Sequence, residues 1–434
     1  MRLWSRRRPG RGPSSPCAHP FSRSVKIGPR LEKTVRALPE RHFAVVDEGP
    51  GLSGSSFGGV ADCLEGLGVE RERIIFMPGH EGDLGSEAAA GHRQRWTGSD
   101  KRVQLFTSDD APAPLHTWFR DVTGTLVDAL KDLSGGGWAS HRPATPTDPS
   151  REARKFLLHG KEGDFVLKYA GIDAAGRAKF ERAKALHRAG FCAEPLALRY
   201  GFIIEPFIEG EPAARVPASL LVDYCTFRRN RFLARKQGSS LEELLKMAEY
   251  NIAKAVPEIN FDPARRWNGD RLRTLQAAVR PVHIDSRMHS WEWLRSEGRI
   301  LKTDAVDHSE SHDLVGCQDI MWDVAGAVVE LGDADDAAGE VAHAFARAPQ
   351  KRELLELMKV CYAAFQLGWW SMSSTTEGWV RSHWYRSRIA DMIPAQAWSH
   401  PFTLSETGHL RPLTNSGAKA RRAAERRDRW HGSC

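Results

Sequence analysis

Between residues 165 and 307 the chain carries a series of side chains whose types could do phosphate chemistry. Lys168 lies in the apolar stretch FVLKYA, and Glu181 follows in a helix-like stretch. His283 and Asp285 form an H-x-D triplet in VHIDSRMHS, and Asp304 follows in ILKTDAVD. A lysine ammonium neutralises phosphate oxygens, and a carboxylate accepts a proton or holds a metal ion. Each motif alone is common, so the prediction of phosphate chemistry depends on their combination and order.

Residues 151 to about 330 resemble the aminoglycoside phosphotransferase and small-molecule kinase branch of the protein-kinase-like fold. The order of parts is similar, from a strand lysine and a helix acid through the hinge-like IIEPFIEG to the H-x-D and a later aspartate. The resemblance implies that Lys168, oriented by Glu181, would neutralise the phosphates of ATP. It also implies that the hinge, with Glu205, would help to bind the nucleotide.

The same resemblance assigns roles to the later motifs. Asp285, with His283, would accept the proton of the attacking hydroxyl, and Asp304 would hold Mg²⁺. Asp323, in DIMWDVAGA, would brace the catalytic loop from the start of a helix. The implied function is an ATP-dependent phosphotransferase acting on a small hydroxyl-bearing molecule.

Two departures from the family pattern affect the metal and nucleotide sites. Ser290, with His289 beside it, stands where the family has an asparagine that holds a second metal ion, and Mg²⁺ prefers hard oxygen ligands. The predicted metal residues are therefore Asp304, His289 and Ser290. Before the strand lysine, Gly160 and Gly163 are present but no G-x-G-x-x-G loop is. These departures favour an alternative, a kinase-like pseudoenzyme that binds a nucleotide without turnover.

A second alternative uses the histidines of the same segment. Imidazole and carboxylate groups together can bind a transition metal and activate water, as in a metal-dependent phosphohydrolase. The candidate ligands share this chemistry and are His283, His289, Asp304, His308, His312 and Asp313. In such a hydrolase, the histidine upstream of the His312–Asp313 pair should lie on a separate helix. The stretch RILKTDAVD instead has the pattern of a strand and a turn.

Near the N-terminus, VVDEGPGLSGSS resembles the phosphoribosyl-diphosphate loop of type I phosphoribosyltransferases. The stretch consists of an apolar strand, then two acids, then a turn of small residues at the start of a helix. The resemblance implies that the acids bind ribose hydroxyls and that the turn binds a phosphate at a helix N-terminus. Within residues 43–69, the predicted ligand-binding residues are Asp47, Glu48, Gly51, Ser53, Gly54, Ser55 and Ser56. A tight βα connection without a ligand is the alternative.

The elements that must position these residues predict two folded parts. Strands alternate with helical segments from 36 to 134, which predicts a partial phosphoribosyltransferase-like α/β domain, with a helical segment over 113–133. A hairpin turning at GKEG, a further strand pair and then mostly helical patterns predict an α+β two-lobed protein-kinase-like domain over 151–415. Residues 1–35 are expected to be a disordered basic leader, 135–150 a linker and 416–434 a basic tail.

Composition limits the classes of partner. The net charge of +7 lies largely in the two ends of the chain, in RLWSRRRPGRGP and KARRAAERRDRW, so a nucleic-acid interface is not expected. No run of about 18 apolar residues suggests a membrane span. The seven cysteines are scattered and form no C-x-x-C pair, which favours a reducing cytoplasm. Small molecules and nucleotides are the expected partners.

Overall fold

The computed structural model describes residues 25, 27–47, 53–79, 82–85, 88–103, 115–141, 145–148, 154–306, 308–309, 315–332, 337–393, 402–404 and 410–412. These residues fall into two units. The first takes its described residues from Met1–Asp132, Phe156–Leu167 and Leu196–Phe207, and the second from Leu133–Lys155, Lys168–Pro195 and Ile208–Cys434. The domain boundaries predicted from the sequence stay predictions.

The first unit opens with a small parallel α/β arrangement. Its elements are α1 (Pro29–Arg36), β1 (Phe43–Asp47), α2 (Ser55–Glu65), β2 (Ile74–Pro78), α3 (Ala90–Gly98) and β3 (Asp100–Lys101). The three strands form one parallel sheet in the order β1-β2-β3, with Phe43 opposite Ile74. The predicted alternation of strands and helices is confirmed here.

Aromatic side chains form the core beneath this sheet. The ring of Phe57, on α2, lies 5.0 Å from that of Phe76 and 5.4 Å from that of Trp96. α1 joins this core through Val35, which is 1% exposed. Helix α1 thus begins at Pro29, inside the stretch expected to be a leader, because Pro29 suits the first turn of a helix and Val35 packs into this core.

The prediction of a helical segment over 113–133 is wrong for residues 115–133, the part that the structure describes. A 3₁₀ turn (Leu115–Phe119) and the short α4 (Arg120–Thr123) end at Gly124, whose φ of 65° is left-handed. The chain then extends, and β4 (Lys131–Asp132) pairs antiparallel with the following strand. Apolar residues that could line a helix face instead pack on a sheet, where Leu115 and Phe119 are fully buried.

A five-stranded sheet follows, in the order β4-β5-β6-β8-β7. Its strands are β5 (Lys155–Gly160), β6 (Gly163–Tyr169), β7 (Ala197–Arg199) and β8 (Phe202–Pro206). The predicted hairpin at GKEG and the predicted strand pair 197–206 are both confirmed. Gly160 is required at its position, because a Cβ there would lie 2.3 Å from the carbonyl oxygen of Thr123.

The second unit is mostly helical. Its elements begin with α5 (Asp173–Arg188), β9 (Glu211–Pro212), α6 (Ala218–Arg231), α7 (Leu241–Ala255), α8 (Pro263–Arg266) and α9 (Gly269–Ala278). They continue with β10 (Pro281–Val282), β11 (Trp293–Ser296), β12 (Arg299–Lys302), β13 (Gln318–Asp319), α10 (Met321–Leu331), α11 (Ala337–Phe345), α12 (Pro349–Ser371), α13 (Thr376–Met392), β14 (Phe402–Leu404) and β15 (Leu410–Pro412).

α12 forms the centre of this unit and packs against α7, α10 and α13. Among its apolar side chains, Met358 and Leu357 are fully buried. α7 begins with a capping box, in which Ser240 and Glu243 each bond the other's backbone N–H. Two small antiparallel sheets, β9-β11-β12 and β10-β13, flank the segment that carries the H-x-D motif.

No helix in the described part of the chain is long and apolar enough to cross a membrane.

Candidate functional site

The H-x-D loop is held by Asp323, the first acid of α10. Its carboxylate accepts the backbone N–H of Asp285 at 2.8 Å and that of Ser286 at 2.9 Å. Ser286 has a left-handed φ of 71°, so the loop turns sharply there. On the other side, the backbone N–H of His283 donates to the carbonyl oxygen of Phe232 at 2.8 Å. The brace expected from Asp323 is confirmed.

Asp285 is a buried carboxylate, 1% exposed. The hydroxyl of Tyr224 donates to its Oδ2, and the backbone N–H of Arg287 donates to its Oδ1 at 3.3 Å. Lys302 Nζ lies 3.4 Å and Arg228 Nη1 3.7 Å from Oδ2. The carboxylate is therefore surrounded by donors and cations.

Two buried cations, Arg228 and Lys302, contact three buried carboxylates in this region. Arg228 donates to the carbonyl oxygens of Ala305 at 2.8 Å and His283 at 2.9 Å, and its Nε lies 3.7 Å from Asp323. Lys302 Nζ donates to Glu292 Oε2 at 2.5 Å. Burial raises the pKa of the Glu292 carboxyl, although Lys302 opposes this shift.

Burial also raises the pKa of Asp323 to about 6, against the lowering effect of Arg228 and of its backbone hydrogen bonds. A carboxyl whose pKa is higher in the folded than in the unfolded state contributes stability below about pH 4 and loses it as the pH rises through about 6. We expect the stability advantage of the wild type over Asp323→Asn to be larger near pH 4 than near pH 8. Urea unfolding across this range measures it, with the exposed Asp223→Asn as control. An advantage that does not change with pH would contradict the assignment.

Gly326, on α10, lets the H-x-D loop approach this helix. A Cβ there would lie 2.8 Å from the ring of Tyr362 and 3.2 Å from Cβ of Met288, which is in the loop and fully buried. We expect Gly326→Ala to lower the free energy of unfolding by about 1–3 kcal/mol, because overpacking outweighs the gain in helix propensity. The control is Gly91→Ala on α3, where a Cβ would meet nothing within 4 Å. Equal effects of the two substitutions in urea unfolding would refute this interpretation.

Asp304 lies at the meeting point of two lysines. Lys155 Nζ is 3.1 Å from its Oδ2, and Lys168 Nζ is 3.1 Å from its Oδ1. Asp304 follows β12 with a left-handed φ of 52°, and its side chain is 25% exposed. Burial tends to raise its pKa, but the two ammonium groups hold the pKa of Asp304 well below its usual range. The structure thus brings Lys168 and Asp304 together, as the sequence predicted.

The acid expected to orient Lys168 lies elsewhere. Among the described residues, Glu181 pairs with Lys184 at 3.1 Å and not with Lys168, and its side chain is 64% exposed. The predicted pair Lys168–Glu181 is wrong because Glu181 lies on the solvent-exposed face of α5. The next residue, Arg182, lies on the buried face. Glu205 is half-buried on β8, in the first unit, and its role stays a prediction.

His289 and Ser290 do not join Asp304 in a metal site. His289 is 3% exposed, its Nδ1 lies 3.2 Å from Glu330 Oε1, and its ring stacks on Trp291 at 4.3 Å. Ser290 begins a single 3₁₀ turn, Ser290–Glu292. The described residues contain no group of three or more His, Cys, Asp or Glu that could hold a metal ion. Because both oxygens of Asp304 face lysines, these side chains do not fit Mg²⁺ as arranged.

The histidines of the hydrolase alternative are also not gathered into one described site. His283 Nδ1 lies 3.5 Å from both Ser309 Oγ and Cys317 Sγ, whereas His289 faces Glu330. Burial and the nearby Arg287 hold the pKa of His308 well below its usual value. His312 and Asp313 lie outside the described residues. The described geometry therefore gives the hydrolase alternative no support.

The upstream loop has the expected strand, turn and helix. Asp47 ends β1, Gly54 has a left-handed φ of 66°, and α2 begins at Ser55 with Ser56 next. The hydroxyls of Ser53 and Ser55 lie 2.8 Å apart and are buried. Glu48 and Gly51 lie outside the described residues. The local geometry agrees with the prediction, and ligand binding there stays a prediction.

The sequence interpretation missed four residues that build the site. Lys302, in the apolar strand ILKTD, gave a usable signal, because a lysine in a buried strand needs an anionic partner. Lys155 precedes an apolar strand in the same way. Tyr224 and Arg228 lie on a helix whose pattern gives no sign of their burial, since Arg229 and Arg231 beside them are exposed.

No protein-family model matches the chain, and no curated protein matches it either. Similar solved structures include choline kinase LicA from Streptococcus pneumoniae, with 14% sequence identity and a TM-score of 0.41, covering 64% of this chain and 98% of that chain. A thermostable mutant of aminoglycoside phosphotransferase APH(4)-Ia matches with 16% identity and a TM-score of 0.39, covering 65% and 99%.

A third similar structure is a choline/ethanolamine kinase family protein from Mesorhizobium loti. It has 13% identity and a TM-score of 0.39, and the match covers 63% of this chain and 90% of that chain. TM-scores below 0.5 are too low to transfer an activity or a site. The function must be inferred from the side chains of this chain.

Proposed function

We propose that the second unit binds a nucleoside triphosphate and transfers its terminal phosphoryl group to a hydroxyl of a small molecule. The observation that supports this most is the contact between Lys168 and Asp304, which come from distant parts of the chain and lie 3.1 Å apart. Both residues are partly exposed, whereas Asp285, on the nearby braced loop, is buried. A phosphate-binding cation and a carboxylate base are the parts that such a transfer needs.

In this proposal Lys168 neutralises phosphate oxygens as negative charge moves to the leaving nucleoside diphosphate. Asp285 takes the proton of the acceptor hydroxyl while the acceptor oxygen bonds to phosphorus and the bond to the leaving oxygen breaks. Asp323 acts as a positioning residue, because it fixes the backbone of Asp285 and Ser286. Since the described side chains do not fit Mg²⁺, no step is assigned to a metal ion.

The test is transfer of labelled terminal phosphoryl from ATP or GTP to a panel of aminoglycosides, amino alcohols and nucleosides. A labelled product that needs the acceptor would support the proposal. Release of inorganic phosphate alone would not, because idle hydrolysis gives the same signal. No labelled product with any acceptor, from a protein that binds nucleotide, would favour the second candidate.

That second candidate is a kinase-like protein that binds nucleotide without turnover. It is favoured by the surroundings of Asp285, whose side chain is fully buried and whose Oδ2 is engaged by Tyr224 and faces Lys302. A carboxylate oxygen already held by a hydroxyl donor and facing a cation is less available to the hydroxyl of an acceptor. Nucleotide binding without transfer would be the result that distinguishes this candidate.

As part of the same proposal, the turn 53–56 of the first unit binds the phosphate of a ribose phosphate such as phosphoribosyl diphosphate. Its support is local: the strand end at Asp47, the left-handed Gly54 and the helix start at Ser55. A thermal shift with phosphoribosyl diphosphate tests it, and no shift would leave the turn as a βα connection. The described cysteines are not in disulfides, which suits a cytoplasmic protein.

A further inference from the structure

Two buried cations face Asp285, yet neither donates a hydrogen bond to its carboxylate. Lys302 Nζ lies 3.4 Å and Arg228 Nη1 3.7 Å from Oδ2, beyond the range of about 2.7–3.2 Å that is usual for such bonds. Arg228 Nη1 donates instead to the hydroxyl of Tyr224 at 2.7 Å and to the carbonyl oxygen of Ala305 at 2.8 Å. Of these three side chains, only the neutral hydroxyl of Tyr224 donates to Asp285.

Lys302 has nearer partners than Asp285. Its Nζ donates to Glu292 Oε2 at 2.5 Å and to the carbonyl oxygen of Thr303 at 2.8 Å. Glu292 is the charged one of these two acceptors, so Glu292 and Asp285 compete for the same ammonium group. The distances show that Glu292 has the direct bond.

The backbone fixes Glu292 against Lys302. Strands β11 and β12 pair antiparallel, with Trp293 opposite Lys302. The carbonyl oxygen of Glu292 accepts the backbone N–H of Thr303 at 2.8 Å and its hydroxyl at 3.2 Å. Lys302 Nζ also lies 5.9 Å from the ring of Trp293, which is fully buried. The position of the ammonium between the two carboxylates therefore depends on this strand pairing.

The three charged groups are shielded from water, so their interactions are screened weakly. The side chains of Lys302 and Asp285 are fully buried, and that of Glu292 is 10% exposed. Burial tends to lower the pKa of Lys302, but Asp285 and Glu292 hold this pKa above its usual value, so Lys302 is a cation. As an ion pair, Lys302 and Glu292 have no net charge. Without the charge of Glu292, Asp285 would face the full charge of the ammonium.

We propose that Glu292 is a positioning residue, which holds Lys302 off Asp285 and so keeps Asp285 able to take the proton of the acceptor hydroxyl. The inference rests on the proposed function, because it takes Asp285 to be the base. A cation close to a carboxylate favours its charged form and opposes proton uptake. Loss of the charge of Glu292 would let Lys302 donate to Oδ2 directly, and the site would then bind nucleotide but transfer slowly.

Glu292→Gln tests this, because it removes the charge and keeps the shape. Single-turnover transfer uses labelled ATP or GTP with an acceptor that the wild type phosphorylates, and calorimetry uses the corresponding diphosphate. Transfer should fall by about tenfold or more, since an adjacent cation disfavours protonation of a carboxylate by about that factor or more. Nucleotide affinity should stay within about twofold of the wild type, because Glu292 acts on the base and not on the phosphates.

The double variant Glu292→Gln/Lys302→Met separates this role from a merely structural one. With the freed ammonium also removed, transfer should return to within about threefold of the wild type. A purely structural role predicts the opposite, because the loss of a second buried partner adds to the damage of the first. Circular dichroism checks that each variant folds. If Glu292→Gln does not fold, the comparison of the folded double variant with the wild type still decides.

The control is Glu297→Gln, the same change at an exposed position in the turn between β11 and β12. It should leave transfer and affinity unchanged. Equal transfer in Glu292→Gln and Glu297→Gln, or a folded double variant with less than about a tenth of wild-type transfer, would overturn the inference but leave the proposed function intact. A wild type that transfers to no acceptor would overturn both.

Discussion

Asp285→Asn should abolish most phosphoryl transfer while leaving nucleotide affinity nearly unchanged. The amide keeps the shape of the side chain but cannot accept the proton of the acceptor hydroxyl. Transfer should fall by about 10² to 10⁴, the range expected when general-base help is lost. Affinity should persist, because the proposed function assigns the phosphates to Lys168 and not to this residue. Single-turnover transfer and calorimetry measure the two quantities separately.

The matched control is Asp223→Asn, the same change at an exposed position of α6. It should retain full transfer. Full transfer in Asp285→Asn would end the proposed catalytic role of this residue. An inactive wild type that still binds nucleotide would instead identify the second candidate function.

Arg228→Met should lower the free energy of unfolding by about 3–5 kcal/mol, the usual cost of removing one partner from a buried ion network. Arg228 is 1% exposed, and its loss leaves Asp285 and Asp323 without a cation that lies 3.7 Å from each. Two backbone carbonyls, of His283 and Ala305, also lose their donor. The loss would be a large part of the about 5–15 kcal/mol that stabilises a typical domain.

Urea unfolding compares this variant with Arg231→Met, which removes an exposed arginine from the last turn of the same helix. The control should change stability by less than about 1 kcal/mol. If both variants unfold at the same urea concentration, the buried network does not stabilise the site.

The sequence predicted those parts of the fold that local pattern determines. The β5–β6 hairpin followed from two apolar runs around GKEG, and α7 from a run that begins with the capping pair Ser240 and Glu243. The prediction of a helix over 113–133 failed because the apolar spacing of this segment suits both a helix and a set of short extended segments. Pairing with β5, a tertiary contact, decided between them.

The site was predictable in its motifs but not in its pairings. The residues Lys168, Asp304 and Asp323 could be found from order and spacing, because each follows a recognisable element. The pairing of cations with acids depends on the tertiary positions of helix α6 and strand β5. The local sequence around Arg228 and Lys155 does not indicate which acid each residue will contact. For Glu181 the helix was predicted correctly, but the role of the residue was not, because its side chain faces solvent.

Glu330, at the end of α10, links the H-x-D loop to sequence far beyond it. Besides His289, its Oε1 accepts the hydroxyl of Tyr362, on α12, at 3.0 Å and that of Tyr385, on α13. A fragment that stops near residue 330 would retain Lys168, Asp285 and Asp304 but lack both tyrosines. The last two long helices are thus not an appendage of the motif-bearing region. They supply side chains to it, and a fragment that keeps these contacts must extend through Tyr385 on α13.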